Sequence, residues 1–168
     1  MADAAGPDHP ATQRLFFALW PDDATRDALN RTGKWLHQHW GGRRMHAETL
    51  HLTLAFLGET SVRMRSALLP HIDALQAAPF DLLLDRPGLW PHNRIGWLGA
   101  AETPVALVKL AADLRGALET ASVAFDARPF APHVTLLRQA SGDTAPACIP
   151  VAWPVRDFSL VASHPGAR

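Results

Sequence analysis

The tetrapeptide His51-Leu52-Thr53-Leu54 returns almost unchanged as His133-Val134-Thr135-Leu136. Side chains alternate between faces along a strand, so each copy sets an imidazole and a hydroxyl on one face and two aliphatic anchors on the other. Far less than one His-x-Thr-Leu is expected by chance at this chain's composition, so two copies mark a repeat. Two imidazoles facing one another across a cleft supply a base and an acid near neutral pH. Opening a cyclic phosphate with water needs both. One neutral His takes a proton from the attacking water, and one protonated His gives a proton to the departing oxygen. The hydroxyls of Thr53 and Thr135 suit the non-bridging phosphate oxygens, where charge builds up in the transition state. No cofactor is required for this chemistry.

Other readings of the same residues compete with this one. Taken singly, each motif histidine also reads as a strand His satisfied by a neighbouring carbonyl. A zinc site needs more ligands than one His per strand, and no His-x-x-x-His completes a set. His37 and His39 diverge on a helix, so no metal ligand is assigned. Phe16, Phe56 and Trp90 are candidates for stacking on a base, each with a core role as the alternative. Arg43 and Arg94 are candidates for contact with phosphate, each with a solvated surface charge as the alternative, and His46, His71, His92 and His164 read as structural or surface residues.

The elements that must position the two motifs follow from periodicity and punctuation. Arg14–Trp20 is apolar on both faces and reads as a central strand, ended by Pro21. Asp22 or Asp23 caps a helix to about His39, with Ala28, Leu29, Trp35 and Leu36 inward, and Gly41-Gly42 ends it. A strand over His51–Leu57 carries the first motif. Thr60 or Ser61 caps a helix whose Met64, Leu68, His71, Ile72 and Leu75 follow a 3.6-residue period. Phe80–Leu84 is a strand, 86–93 a loop and Arg94–Leu98 a return strand. Thr103-Pro104 opens a helix, Thr as cap and Pro at the first position, with Leu107, Leu110, Ala111, Leu114 and Leu118 inward. Pro132–Arg138 carries the second motif, 141–154 is a Pro-rich loop, and Val155–Ala162 a last strand. Short strands interleaved with helices predict an α+β protein with mainly antiparallel sheets.

Composition narrows the function classes. At 168 residues, 48% of them hydrophobic, the chain can bury a core without staples. Acidic and basic residues balance at 16 each, which argues against coating long nucleic acid by bulk charge and leaves room for a small or terminal anion. Arg outnumbers Lys 14 to two, a skew that composition drift explains as well as phosphate binding does. Cys148 is the only cysteine, so an intrachain disulfide and a thiolate metal cage are both excluded. Residues 1–13 read as a flexible polar segment without signal character, and no apolar run is long enough for a membrane span. A cytoplasmic monomer is the expectation.

The blocks RLFFAL at 14–19, LHLTLAFLGE at 50–59, RIGWLG at 94–99 and RPFAPHVTLLR at 128–138 resemble the two-histidine phosphoesterases. Within them the match is to the RNA 2′,3′-cyclic phosphodiesterases, historically called 2′–5′ RNA ligases, and it runs from Arg14 to about Gly166. The resemblance implies a single domain over 14–168, built of two similar lobes of antiparallel sheet with helices outside and the motifs facing across a cleft. It implies that His51 donates a proton to the leaving 3′-oxygen and that His133 accepts one from water. Thr53 and Thr135 match phosphate-contacting threonines, and Arg138 a basic position near the phosphate. The implied product is a 2′-phosphomonoester, the implied partner an RNA end or nucleotide with a 2′,3′-cyclic phosphate. Two alternatives stand beside hydrolysis: reversible 2′–5′ ligation, and a binding module for RNA ends or 2′-phosphates without turnover. Family members continue past the segment matching 163–168 with a final strand, so the sequence predicts that this strand is missing and a sheet edge exposed.

Overall fold

In the computed structural model, which describes residues 11–164, the doubly apolar first run becomes β1 (Thr12–Leu19), with a partner strand on each side. It begins before Arg14 and ends before Trp20. The rest of the expected flexible segment, residues 1–10, lies outside the described residues. Asp22 caps α1 (Asp23–Trp40) by accepting the Thr25 backbone N–H at 2.7 Å, and Gly41, at φ 62°, ends it. Leu29 and Leu36 face inward as expected, whereas Trp35 is 43% exposed because its indole N–H reaches out to the Ala147 carbonyl. A two-residue strand β2 (Arg43–Arg44) and a 3₁₀ turn (Ala47–Thr49) lead into β3 (Leu52–Ser61). Ser61, rather than Thr60, caps α2 (Val62–Asp73). Of the residues expected inward on α2, Leu68 alone is fully buried; Ile72 and Leu75 are partly covered, and Met64 and His71 are exposed. This helix touches α3 and β3 along one narrow stripe.

The second half departs from expectation in three places. A strand, β5 (Arg86–Trp90), follows β4 (Phe80–Leu84) where Pro87 suggested a loop; β5 is a sheet edge, where the missing Pro N–H costs no ladder bond. Arg94, at φ 58°, belongs to the turn, and β6 runs Ile95–Gly99. The carbonyl of Pro104, not the side chain of Thr103, receives the first N–H groups of α3 (Val105–Thr120), so Pro104 stands at the cap position itself. The expected inward residues of α3 are all buried. After β7 (His133–Arg138), β8 (Val151–Val155) lies partly inside the expected 141–154 loop, and the expected single last strand is interrupted before β9 (Ser159–Ser163). The interruption holds Phe158, whose ring meets Phe17 edge-on at 6.1 Å.

All strand pairs are antiparallel. The main sheet runs β5-β6-β7-β3-β1-β9 with β2 alongside β7, and β4-β8 forms a separate ribbon. The halves β9-β1-β3 and β7-β6-β5 meet at one residue pair, Leu52 opposite Val134. The helices are exchanged across that junction: α1, which follows β1, packs on β7, and α3, which follows β6, packs on β3. Leu52, Leu54, Val134 and Leu136, each at most 2% exposed, fill the helix side of the junction. The α+β expectation therefore stands, and the opposite face of the sheet is left open for the two motifs.

Candidate active site

The junction pair fixes the relation between the motifs. Leu52 follows His51 and Val134 follows His133, and the two strands run antiparallel through that pair. Continued by one residue either way, this register sets His51 across from Thr135 and His133 across from Thr53. The four side chains predicted from the repeat thus share one side of the sheet, all partly buried. His51 itself sits just before β3, at the exit of the 3₁₀ turn, while His133 opens β7.

Both motifs contain the same irregularity. Opposite β1, the pairing steps from Thr53 to Ala55 and skips Leu54; opposite β6, it steps from Thr135 to Leu137 and skips Leu136. One extra residue reverses the alternation, so the next cleft-facing residue comes three positions after each Thr. These residues are Phe56 in the first half and Arg138 in the second, and both are exposed. Strict alternation from His133 would have turned Arg138 to the core side and Leu137, which is fully buried, to the cleft.

Each imidazole is held by the backbone two residues earlier. His51 Nδ1 lies 2.7 Å from the Thr49 carbonyl, and His133 Nδ1 lies 2.7 Å from the Ala131 carbonyl. A carbonyl only accepts, so both Nδ1 atoms carry hydrogen and Nε2 is the nitrogen that titrates in each ring. Burial pushes both rings below the ordinary imidazole value of 6.5, against the carbonyl bonds, which favour the charged form. The charge on His51 lowers His133 further, as expected of imidazoles close enough to repel when both are protonated. Aromatic rings supply that burial. Phe16 and Trp20 lie 5.1 and 5.3 Å from the His51 ring, and Trp90 and Trp97 lie 4.6 and 6.5 Å from the His133 ring.

A cleft of about 1040 Å³ opens beside the first motif, and His51, Thr53, Phe16, Phe56 and Arg138 are among its walls. His133, Thr135 and Trp90 do not wall that hollow; they stand on the open face of the other half of the sheet. Phe56 is covered on one side by the Arg14 guanidinium, 5.7 Å from its ring centre, and Arg14 is 4.0 Å from Glu59. Trp90 leans on His133 and on Trp97, so its ring is a wall of the histidine site more than a free platform. Of the two arginines weighed as phosphate contacts against solvated charges, Arg43 joins the cleft wall, whereas Arg94 bonds the carbonyls of Gln139 and Ala140. Among the described residues, no group of three or more His, Cys, Asp or Glu side chains is placed to hold a metal ion.

Sequence reasoning missed Trp20 and Trp97. The alternation Arg14, Phe16, Ala18, Trp20 would have found the first, since Phe16 was already a candidate. Trp97 is paired with Thr135 and Gly88, which puts it on the site face by register alone. Its indole lies so close to Gly88 that an added Cβ there would come within 2.0 Å of the ring, and its buried indole N–H has no hydrogen-bond partner among the described residues.

The chain resembles known proteins throughout. The sequence signature of the LigT like Phosphoesterase family matches residues 19–97. The RNA 2′,3′-cyclic phosphodiesterase of Escherichia coli K12 is 37% identical over 156 residues, covering 90% of this chain and 87% of that protein. The Thermus thermophilus protein of the same name is 32% identical over 166 residues, 90% of this chain and 82% of its own. The crystal structure of E. coli LigT in apo form superposes with a TM-score of 0.83 over 94% of this chain and 91% of LigT, at 37% identity. Likeness at this level, extending over nine-tenths of the chain, settles its kinship: the chain belongs to the LigT-like phosphoesterases.

Proposed function

We propose that this protein hydrolyses RNA 2′,3′-cyclic phosphate ends to 2′-phosphomonoesters. The observation that carries the reading is the pair of imidazoles on one sheet face, each fixed by a carbonyl on Nδ1 and left with Nε2 for proton transfer. The relatives' name supplies the substrate class. With the cyclic phosphate between the motifs, His133 Nε2 removes a proton from water as the water oxygen bonds to phosphorus. The bond from phosphorus to the 3′-oxygen breaks, and His51 Nε2 delivers a proton to that oxygen. Thr53, Thr135 and Arg138 meet the non-bridging oxygens, whose charge grows in the transition state. Each imidazole ends in the protonation state opposite to its starting one, and exchange with solvent resets the pair.

The rings around the histidines add a second contribution. They exclude water from the proton-transfer nitrogens and strengthen every charge interaction there. Of the stacking candidates we assign Phe56, the one most open, to the nucleobase, with Phe16 beside it in the same cleft, while Trp90 lines the histidine site. Both motifs come from one chain, so we take the active unit to be a monomer, and the lone, partly buried Cys148 fits a cytoplasmic setting. The test is turnover of a short RNA ending in a 2′,3′-cyclic phosphate, with EDTA present, by wild type and His133→Ala. Ring opening to a 2′-phosphate by the wild type alone supports the reading. Loss of the wild-type activity in EDTA, or an undiminished variant, overturns it.

A further inference from the structure

The two ends of the cleft differ in how their charge is compensated. At one end Arg14 is engaged, with Glu59 at 4.0 Å and the Phe56 ring beneath it. At the other end β2 aligns Arg43 directly opposite Arg138 of β7, both exposed and both on the cleft wall. Like charges directly opposite one another in an antiparallel pair destabilise it. Among the described residues neither guanidinium has a carboxylate within 4.0 Å. The neighbouring Arg44 shows the contrast, since its guanidinium donates to Asn30 Oδ1 at 2.9 Å and anchors β2 to α1.

A pair of like charges set side by side, without a carboxylate partner among the described residues, points to an anion supplied from outside. The cyclic phosphate carries one negative charge, and under the function proposed above it already meets Thr53, Thr135, Arg138 and a protonated histidine. Arg43 is in excess of that need. The cleft, at about 1040 Å³, also stands at the upper end of the roughly 300–1,000 Å³ that suits a drug-sized ligand. We infer that Arg43, set beside Arg138 by β2, forms a subsite for the next phosphodiester along the RNA strand, on the 5′ side of the terminal nucleotide. The enzyme would then select oligonucleotide ends over nucleoside 2′,3′-cyclic phosphates. This inference rests on the proposed function for its substrate, and its test separates the two.

The readout is the ratio of kcat/KM for a diuridylate ending in a 2′,3′-cyclic phosphate to that for uridine 2′,3′-cyclic phosphate. The wild type should favour the dinucleotide, and Arg43→Gln should lower the ratio about tenfold, the effect of one charged hydrogen-bonding contact. Arg43→Lys should restore part of it, because the charge returns without the fork. The dependence of log kcat/KM on log salt for the dinucleotide should be shallower in Arg43→Gln than in the wild type, because one screened charge attraction is lost. A wild-type ratio near one, or a ratio unchanged by Arg43→Gln, overturns the subsite. Calorimetry with the same two compounds carrying open 2′-phosphates asks the question without turnover. A preference for the dinucleotide that Arg43→Gln abolishes supports the subsite even where catalysis fails, and no preference there overturns it.

Discussion

Because a backbone carbonyl holds Nδ1 of each motif histidine, Nε2 is the working nitrogen on both rings, and either ring can act as acid or base according to its charge. His51→Ala and His133→Ala should each lower kcat/KM about 10²–10⁴-fold with unchanged circular dichroism, as removal of one general acid or base does. The pH profile follows from the direction of the shifts. Burial lowers both rings from 6.5, so the state with one neutral and one charged ring is most populated on the acid side of that value. The profile of kcat/KM should therefore be bell-shaped with its maximum below about pH 6.5, falling through neutrality as the acid loses its proton. A bound phosphate anion favours imidazolium, so the kcat profile should sit at higher pH. A flat kcat/KM profile from about pH 5 to about pH 9 would remove acid–base catalysis by this pair. Gly88 bears on the same nitrogen from a distance. An added Cβ would come within 2.5 Å of three atoms of the Trp97 indole, forcing the ring off its bed and away from Trp90 and His133. Gly88→Ala should lower kcat/KM and let the His133 pKa, read by NMR titration, rise toward 6.5 as its burial is relieved. The repeated His and Thr were legible in the sequence because one motif returned in one context. The cleft-facing rank of Phe56 and Arg138 has a different cause, since the skipped Leu54 and Leu136 look like any other apolar strand residue and nothing local marks a bulge.

Elements were legible where punctuation and period agreed. Asp22 and Gly41 bracket α1 as its sequence implies, because a carboxylate on the first free N–H groups and a left-handed residue after the last turn are local devices. Asp22→Ala should cost about 1 kcal/mol in urea unfolding, while Asp22→Asn, which keeps the accepting oxygen, should cost little. Elements set by partners were harder to read. Pro87 suggested a loop, yet β5 forms because an edge tolerates the missing donor and Trp97 needs a glycine beneath it. The two-residue β2 carries no pattern at all; what creates it is the approach of Gly42 to β7. At φ 80° Gly42 occupies a conformation few other residues adopt, and a Cβ there would stand 2.4 Å from the Arg138 carbonyl. Gly42→Ala should push β2 from β7 and separate Arg43 from Arg138. Its expected signature is a loss of dinucleotide preference like that of Arg43→Gln, although both arginines remain in the sequence.

At the scale of the whole molecule, the open face works only if two half-sheets keep their relative position, and their strands join through one residue pair. The exchanged helices supply the rigidity that the strands lack. Gly33 of α1 brings that helix against Leu136, with an ideal Cβ only 3.9 Å from the Leu136 Cβ, so a helix that follows β1 rests on the strand that carries His133. A sequence shows which helix face is apolar but not which half of a sheet it covers, so this exchange was not legible, whereas the α+β class was. The exchange makes a definite demand on unfolding. Leu136 is 2% exposed, and Leu136→Ala should cost about 2–5 kcal/mol from lost burial and the cavity left behind. Because α1 and α3 each bridge the junction, that loss should lower the stability of both halves together. Urea transitions followed by far-ultraviolet circular dichroism and by tryptophan fluorescence should then coincide in wild type and variant, with the variant midpoint lowered for both probes. Two separated transitions, with only one displaced by Leu136→Ala, would mean that the halves fold independently and that something other than the exchanged helices holds His51 against His133.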